Sequence, residues 1–159
     1  MADYLKALKD IWDEMEKLFH QGKFHGEQEG DVQAYLYHGF LLRLKGLAPK
    51  DLRMEKTFDG IGRVDLSIRD KLFIEIKKLS RKKSYHERWD GKLKAFEKDV
   101  DKLKRYCKNT KSRRVRTPVF AIWNRRANQK IGLDGELLNK LEKFKRKHKK
   151  HVLVVYGPK

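Results

Sequence analysis

A chain of 159 residues, 39% hydrophobic and 39% charged, has the size of one domain with a buried core and a heavily ionised surface. Its formal charge of +18 makes polyanions the natural partners, nucleic acid first and an anionic membrane surface second. No apolar run approaches the roughly 18 residues needed to span a bilayer, the opening MADYLKALKD lacks the pattern of a secretory leader, and the single cysteine, Cys107, excludes an internal disulfide and suits a reducing, cytoplasmic setting.

In chain order, Leu5, Leu8, Ile11, Trp12, Met15, Leu18 and Phe19 fall at helical spacing and predict a helix from Asp3 to about His20, packed on the core. After a polar stretch from Gln21 to Gly30, Val32, Leu36, Phe40 and Leu44 predict a helix over Asp31–Leu47, closed by Gly46 and Pro49. Leu52–Phe58 reads as a strand, and a turn at Gly60/Gly62 leads into a hairpin. Ser80–Gly91 (SRKKSYHERWDG) is a basic loop, in which Tyr85 and Trp89 could stack on a base or anchor the loop. Lys92–Lys108 is a helix with Leu93, Phe96, Val100, Leu103 and Cys107 inward; Asn109–Thr117 is a basic connection; Pro118–Trp123 is a buried strand. Leu133–Lys150 is the last helix and His151–Tyr156 the last strand, stopped by Gly157-Pro158. Strand–helix–strand crossovers after a hairpin give one α/β domain over 1–159, an α+β arrangement with a mixed sheet flanked by helices.

The stretch with chemistry in it is Gly62–Leu79, GRVDLSIRDKLFIEIKKL, two strands joined by a tight turn at Arg69-Asp70. In the second strand Leu72, Ile74 and Ile76 point one way and Phe73, Glu75 and Lys77 the other. Glu75 and Lys77 then share a face about 7 Å apart, and Asp65 on the first strand can be brought beside them. Two carboxylates and an ammonium converging at a sheet end can hold a divalent metal against a phosphate. Of the two acid-x-Lys triplets, Glu75-Ile76-Lys77 lies in a regular strand, whereas Asp90-Gly91-Lys92 lies in a loop at a helix start.

A helix, then a hairpin carrying Asp65 and, after nine residues, Glu75-Ile76-Lys77, then a helix and a strand, resembles the PD-(D/E)XK nuclease superfamily, which includes restriction enzymes and archaeal Holliday-junction resolvases. Val64 stands where the named motif has proline. The resemblance implies a restriction-endonuclease-like αβββαβ core and a nuclease, with Asp65, Glu75 and the carbonyl of Ile76 on Mg²⁺ or Mn²⁺ and Lys77 placing the attacking water. It also implies a helix carboxylate, for which Glu29 is the best match, with Glu27 and Asp31 as rivals. Lys78, Arg81, Lys82 and Lys83, directly after the motif, and Arg63 before it are the expected contacts to DNA, duplex or branched; the residues do not separate DNA from RNA. Many nucleases of this kind pair up so that two sites meet two strands, which makes a homodimer an open arrangement. The histidine pairs His20/His25 and His148/His151 lack cysteine or acidic partners at ligand spacing, so zinc is not expected.

Overall fold

The computed structural model describes residues 2–58, 62–69, 71–79, 89–108, 117–124 and 135–158. The expected contacts Arg81, Lys82 and Lys83, the loop residue Tyr85, the turn residue Asp70 and the 109–116 connection lie outside them. The order is α1 (Ala2–His20), α2 (Glu29–Arg43), a 3-10 turn (Pro49–Asp51), β1 (Leu52–Phe58), β2 (Gly62–Ile68), β3 (Leu72–Leu79), α3 (Trp89–Lys108), β4 (Thr117–Asn124), α4 (Gly135–His148) and β5 (Leu153–Gly157). Among the described residues the strands form one mixed sheet in sequence order, β1-β2-β3 antiparallel and β3-β4-β5 parallel.

Handedness settles which helices cover which face. Both parallel crossovers step in the same direction along the sheet, so right-handed connections put α3 and α4 on one face. There Phe96, Val100, Leu103, Leu141 and Phe144 bury Phe73, Phe120 and Ile122. The other face is left to α1 and α2, whose Leu8, Ile11, Met15, Leu36 and Phe40 bury Ile74, Ile76, Val119 and Ala121. The alternation predicted for β3 is the division between these two cores: Leu72, Ile74 and Ile76 against Phe73.

Trp123 of β4 ties the connection before α2 to the sheet. Its ring is edge-on to Trp12, Phe19 and Phe24, with centroids 5.5, 5.7 and 5.4 Å away. Its indole N–H donates to the His25 carbonyl at 3.4 Å. Gly26 passes so close that a Cβ there would lie 2.3 Å from the indole nitrogen, and its φ of +55° also favours glycine. The 21–28 segment is thereby held above the end of β3.

Element boundaries shift where side chains pack beyond a helix end. α2 stops at Arg43, four residues before the expected Leu47, because Leu44 turns extended and Gly46 takes φ +75°. Leu44 and Leu47 still pack on the core, which is why their spacing reads as helix. α3 starts at Trp89, so Trp89 and Gly91, expected in a loop, belong to its first turn. α4 ends at His148 and β5 begins at Leu153, each a little inside its expected span.

Two glycines of α2 predict opposite outcomes. A Cβ at Gly39 would sit 2.8–2.9 Å from three carbons of Ile11, whereas Gly30 faces nothing within 4 Å. Gly30→Ala should raise stability by about 0.5–1 kcal/mol through helix propensity. Gly39→Ala should lose about 1–3 kcal/mol to overpacking and come out destabilised despite the same gain. Thermal unfolding of the two variants checks the sign of each.

His148 is 3% exposed, its ring 4.7 Å from that of Phe144. Its Nδ1 lies 3.0 Å from the Lys104 ammonium, which can only donate, so the neutral ring carries its proton on Nε2. That nitrogen is buried without a hydrogen-bond partner among the described residues, a carboxylate oxygen of Glu97 lying 3.9 Å away. Burial, and then the Lys104 charge, hold its pKa below the usual 6.5. An unfolded chain therefore takes up this proton first, and stability should fall as pH drops below about 6.5. His148→Phe should flatten that acid slope, read as urea midpoints at pH 7.5 and 5; an unchanged difference would refute the assignment.

Candidate metal and phosphate site

β2 and β3 pair only from Leu66–Ile74 to Ile68–Leu72, and beyond Leu66 the strands part. The parting coincides with a break in the neighbouring ladder. β1 and β2 pair on both sides of Glu55 and Asp65 but not at that position, where Glu55 takes φ +52°. Val64 packs in the α3/α4 core while Leu66 and Ile68 pack in the α1/α2 core, so β2 turns over at Asp65. A strict period-2 strand would put all three on one face.

The gap is filled by side chains. The backbone N–H of Ile76, which a longer hairpin would bond to β2, donates instead to the Asp65 carboxylate at 2.6 Å. Gln33 of α2, buried at the sheet surface, donates through its side-chain amide to the Asp65 carbonyl and holds the turned-over backbone from above. One residue's N–H and C=O leave an extended strand on the same side, so the Ile76 carbonyl faces this gap as well.

Glu75 is 3% exposed and both its oxygens are taken: Oε1 accepts from the Lys77 ammonium at 2.8 Å and Oε2 from the Lys102 ammonium of α3 at 3.0 Å. This is not the solvated face on which an exposed Glu–Lys pair would contribute under about 1 kcal/mol. Lys102 also donates to the Arg63 carbonyl at 2.8 Å. Asp99, one turn earlier on α3, lies 3.5 Å from Lys77 and 4.0 Å from Lys102.

Asp65, Glu75 and Lys77 are thus brought together, with Asp99 and Lys102 closing the cluster from the helix side. Asp65 has no ammonium within ion-pair distance among the described residues. Burial, followed by the charge of Glu75, pushes its carboxyl up to about 6, against the downward pull of the Ile76 N–H and Lys77; Glu29 adds a smaller upward push. Burial pulls the Lys77 ammonium down, but hydrogen bonding and charge from Glu75, with Asp99 and Asp65, outweigh it and hold the group more firmly protonated.

Glu29 begins α2 and its Oε1 accepts from the Lys78 backbone N–H at 3.1 Å, which puts it at the rim. Its rivals are placed otherwise. The Asp31 carboxylate accepts from the Gln28 N–H at 2.8 Å and caps the helix, and Glu27 meets Lys78 through its backbone carbonyl. The Lys78 ammonium donates to that Glu27 carbonyl at 2.6 Å and to the Gln28 side chain at 3.3 Å, so it is engaged within the chain. The Arg63 side chain is 60% exposed, with its guanidinium 3.3 Å from the Glu55 carboxylate. Sequence reasoning does not single out Gln33, Asp99 or Lys102. The only signal for the α3 pair is that both lie on one flank of the Phe96/Val100/Leu103 stripe.

Among the described residues no group of three or more His, Cys, Asp or Glu could hold a metal ion. The donors here are two carboxylates and a carbonyl, all hard oxygens. That set suits a cation such as Mg²⁺, which binds few protein groups and keeps several waters. The uncompensated Asp65 carboxylate is what such a cation would relieve. Glu75 would have to release one ammonium, and both have somewhere to go: Lys102 to the Arg63 carbonyl and Lys77 to Asp99. No protein-family model, curated protein or solved structure matches the chain.

Asp65→Asn should stabilise the protein in chelator, since the amide oxygen still accepts from Ile76 while the buried charge is gone. Lifting a carboxyl from its ordinary 3.8 to about 6 corresponds to about 3 kcal/mol held against the ionised form. Partial exposure reduces the expected gain to about 1–2 kcal/mol at around neutral pH. Added Mg²⁺ or Mn²⁺ should raise the melting temperature of the wild type and not of the variant. A variant less stable than wild type in chelator would mean that the carboxylate is not strained.

Proposed function

We propose that the protein is a divalent-metal-dependent nuclease that hydrolyses DNA phosphodiester bonds, with its site on a restriction-endonuclease-like core. The observation that carries this reading is the convergence of Asp65, Glu75 and Lys77 where β2 and β3 part. The order α2-β1-β2-β3-α3-β4 fits an αβββαβ core, and a formal charge of +18 fits a polyphosphate substrate.

In this reading Asp65, Glu75 and the Ile76 carbonyl hold Mg²⁺ or Mn²⁺, with Glu29 at the rim. The ion, when bound, polarises a phosphate oxygen and acidifies a coordinated water. Lys77 orients the attacking water and offsets negative charge building on the phosphorus, a role that typically contributes 10²–10³-fold, or about 3–4 kcal/mol. Asp99 and Lys102 are positioning residues, which hold Lys77 and Glu75 on the β3 face. Arg63, exposed at the start of β2, meets the substrate backbone; Arg81, Lys82 and Lys83 follow the site in sequence and are proposed to do the same.

A second reading, DNA binding without cleavage on the same scaffold, is favoured by one observation: both Glu75 oxygens already have ammonium partners, so the cluster is largely balanced without a cation.

Labelled duplex and branched DNA with Mg²⁺ or Mn²⁺ tests the two. Wild type should cut, chelator should stop it, Asp65→Asn and Glu75→Gln should lose at least 10³-fold, and Lys77→Met about 10²–10³-fold. Cleavage that survives at Asp65 and Glu75 would remove them from the mechanism. Salt-sensitive binding with no cleavage by wild type under either metal would leave the second reading.

A further inference from the structure

The charge is divided between the two faces of the sheet. On one face α1 carries five acidic residues against three lysines, and α2 two acids against one arginine. On the other α3 carries seven Lys/Arg against four acids and α4 five against two, and Lys149 and Lys150 follow directly. The excess positive charge of the described helices therefore sits on the α3/α4 face.

Its distribution on that face is ordered. On α3 the inward stripe is Phe96, Val100 and Leu103; Lys102 and Asp99 turn toward the β2/β3 gap, while Glu97 and Lys104 turn toward α4. That leaves Lys94, Lys98 and Arg105 exposed along the outer side, spanning about 17 Å at 1.5 Å per residue, in a row that also holds the exposed Asp101, itself paired with Lys104 at 3.1 Å. On α4, Leu141, Phe144 and His148 point inward and Lys143, Arg146, Lys149 and Lys150 are exposed. Lys147 bridges to Glu97 at 2.7 Å and joins the two helices edge to edge. Lys94, Lys98, Lys143, Arg146, Lys149 and Lys150 have no acidic partner among the described residues. Side chains of like charge gathered in this way repel one another, and a polyanion laid across them removes that cost.

We infer that the outer face of α3 and α4 is a docking surface for duplex nucleic acid, read through its phosphate backbone, lying across α3 from the Asp65–Glu75–Lys77 cluster. The inference builds on the polyphosphate substrate of the preceding reading and holds whether or not the chain cuts. Two observations favour a duplex. The cations lie in two helical rows, and packed helices stand about 8–10 Å apart, which suits a broad charged partner. The outer positions described on both helices are filled mainly by lysine and arginine, point charges that track a phosphate backbone, rather than by rings that stack on bases. A membrane surface fits less well, because interfacial helices insert large apolar side chains. Among the described residues the exposed large apolar side chains, Leu42, Met54 and Leu153, belong to α2, β1 and β5.

The test compares two triple variants of equal charge, Lys98→Gln/Arg146→Gln/Lys150→Gln on this face and Lys6→Gln/Lys9→Gln/Lys17→Gln on α1, after thermal unfolding shows both folded. Fluorescence anisotropy follows binding to a short duplex across a salt series, in chelator so that no cleavage intervenes. The α3/α4 triple should reduce the salt slope by about 2.7 and weaken binding on the order of 10²-fold at about 0.1 M salt, while the α1 triple leaves the slope near that of wild type. Equal loss in both triples would overturn the surface in favour of net charge alone. Tighter binding to the matched single strand would overturn the duplex assignment, and tighter binding to phosphatidylcholine vesicles containing phosphatidylserine would overturn nucleic acid as the partner. If wild type never cuts and the slopes still separate, the nuclease reading fails and the surface stands; if it cuts and the slopes coincide, the reverse holds.

Discussion

A carboxylate buried beside a sheet must be neutralised by something within hydrogen-bond reach, and Glu75 sets that requirement for the region around it. Its two oxygens draw Lys77 from its own strand and Lys102 from α3. Two ammoniums on one carboxylate need a second acid, and Asp99 lies within ion-pair distance of both. Removing one member of such a cluster leaves an unpaired buried charge, at a typical cost of about 3–5 kcal/mol, whereas the intact cluster adds little net stability. A core of apolar side chains would have been simpler, so the cluster is better understood through what it does to Asp65. With both lysines committed to Glu75, Asp65 keeps a backbone N–H and no ammonium within ion-pair distance among the described residues, and burial, followed by the Glu75 charge, raises its carboxyl to about 6.

The backbone around Asp65 follows from the same demand. For its side chain to reach Ile76 N–H, β2 must leave β3 after Leu66 and turn over, and the ladder to β1 must open at the same level. Glu55, a non-glycine residue at φ +52°, takes up that distortion on the edge strand, at a cost of roughly 1–2 kcal/mol. Gln33 and the Trp123-anchored segment before α2 hold the opening from the other face and place Glu29 at its rim. Local strain kept in place by packing on both sides is a common mark of a working site.

The sequence was most legible where one physical rule acted alone. The alternation in β3 told correctly which side chains share a face, and apolar spacing located α1, α3, β4 and β5 to within a few residues. It failed where two rules overlapped. Leu44 and Leu47 are apolar because they pack on the core, although the helix has already ended at Arg43, and Gly91 reads as a break although α3 runs through it. The site was only half visible. Asp65, Glu75 and Lys77 lie close in sequence on two strands, so a motif can hold them. Gln33, Asp99 and Lys102 come from helices more than twenty residues away from the residues they touch, and nothing local marks them out from the chain's many other polar positions. The turn-over at Asp65 was also hidden, since Val64, Leu66 and Ile68 look like one regular face.

Topology connects this cluster to the charge of the whole molecule. Because β3, β4 and β5 follow one another in one direction, α3 and α4 must share a face, and α3 lies between the Glu75 cluster and the basic row of α4. The same helix therefore presents Asp99 and Lys102 inward to the site and Lys94, Lys98 and Arg105 outward to solvent. Among the described helices, net negative charge lies on the α1/α2 face and net positive charge on the α3/α4 face, a difference that favours a polyanion on the α3/α4 side. Screening confines that preference to about 10 Å at ordinary salt, which is a helix diameter, so it acts on a partner already at the surface and turns it toward the face that carries the cluster.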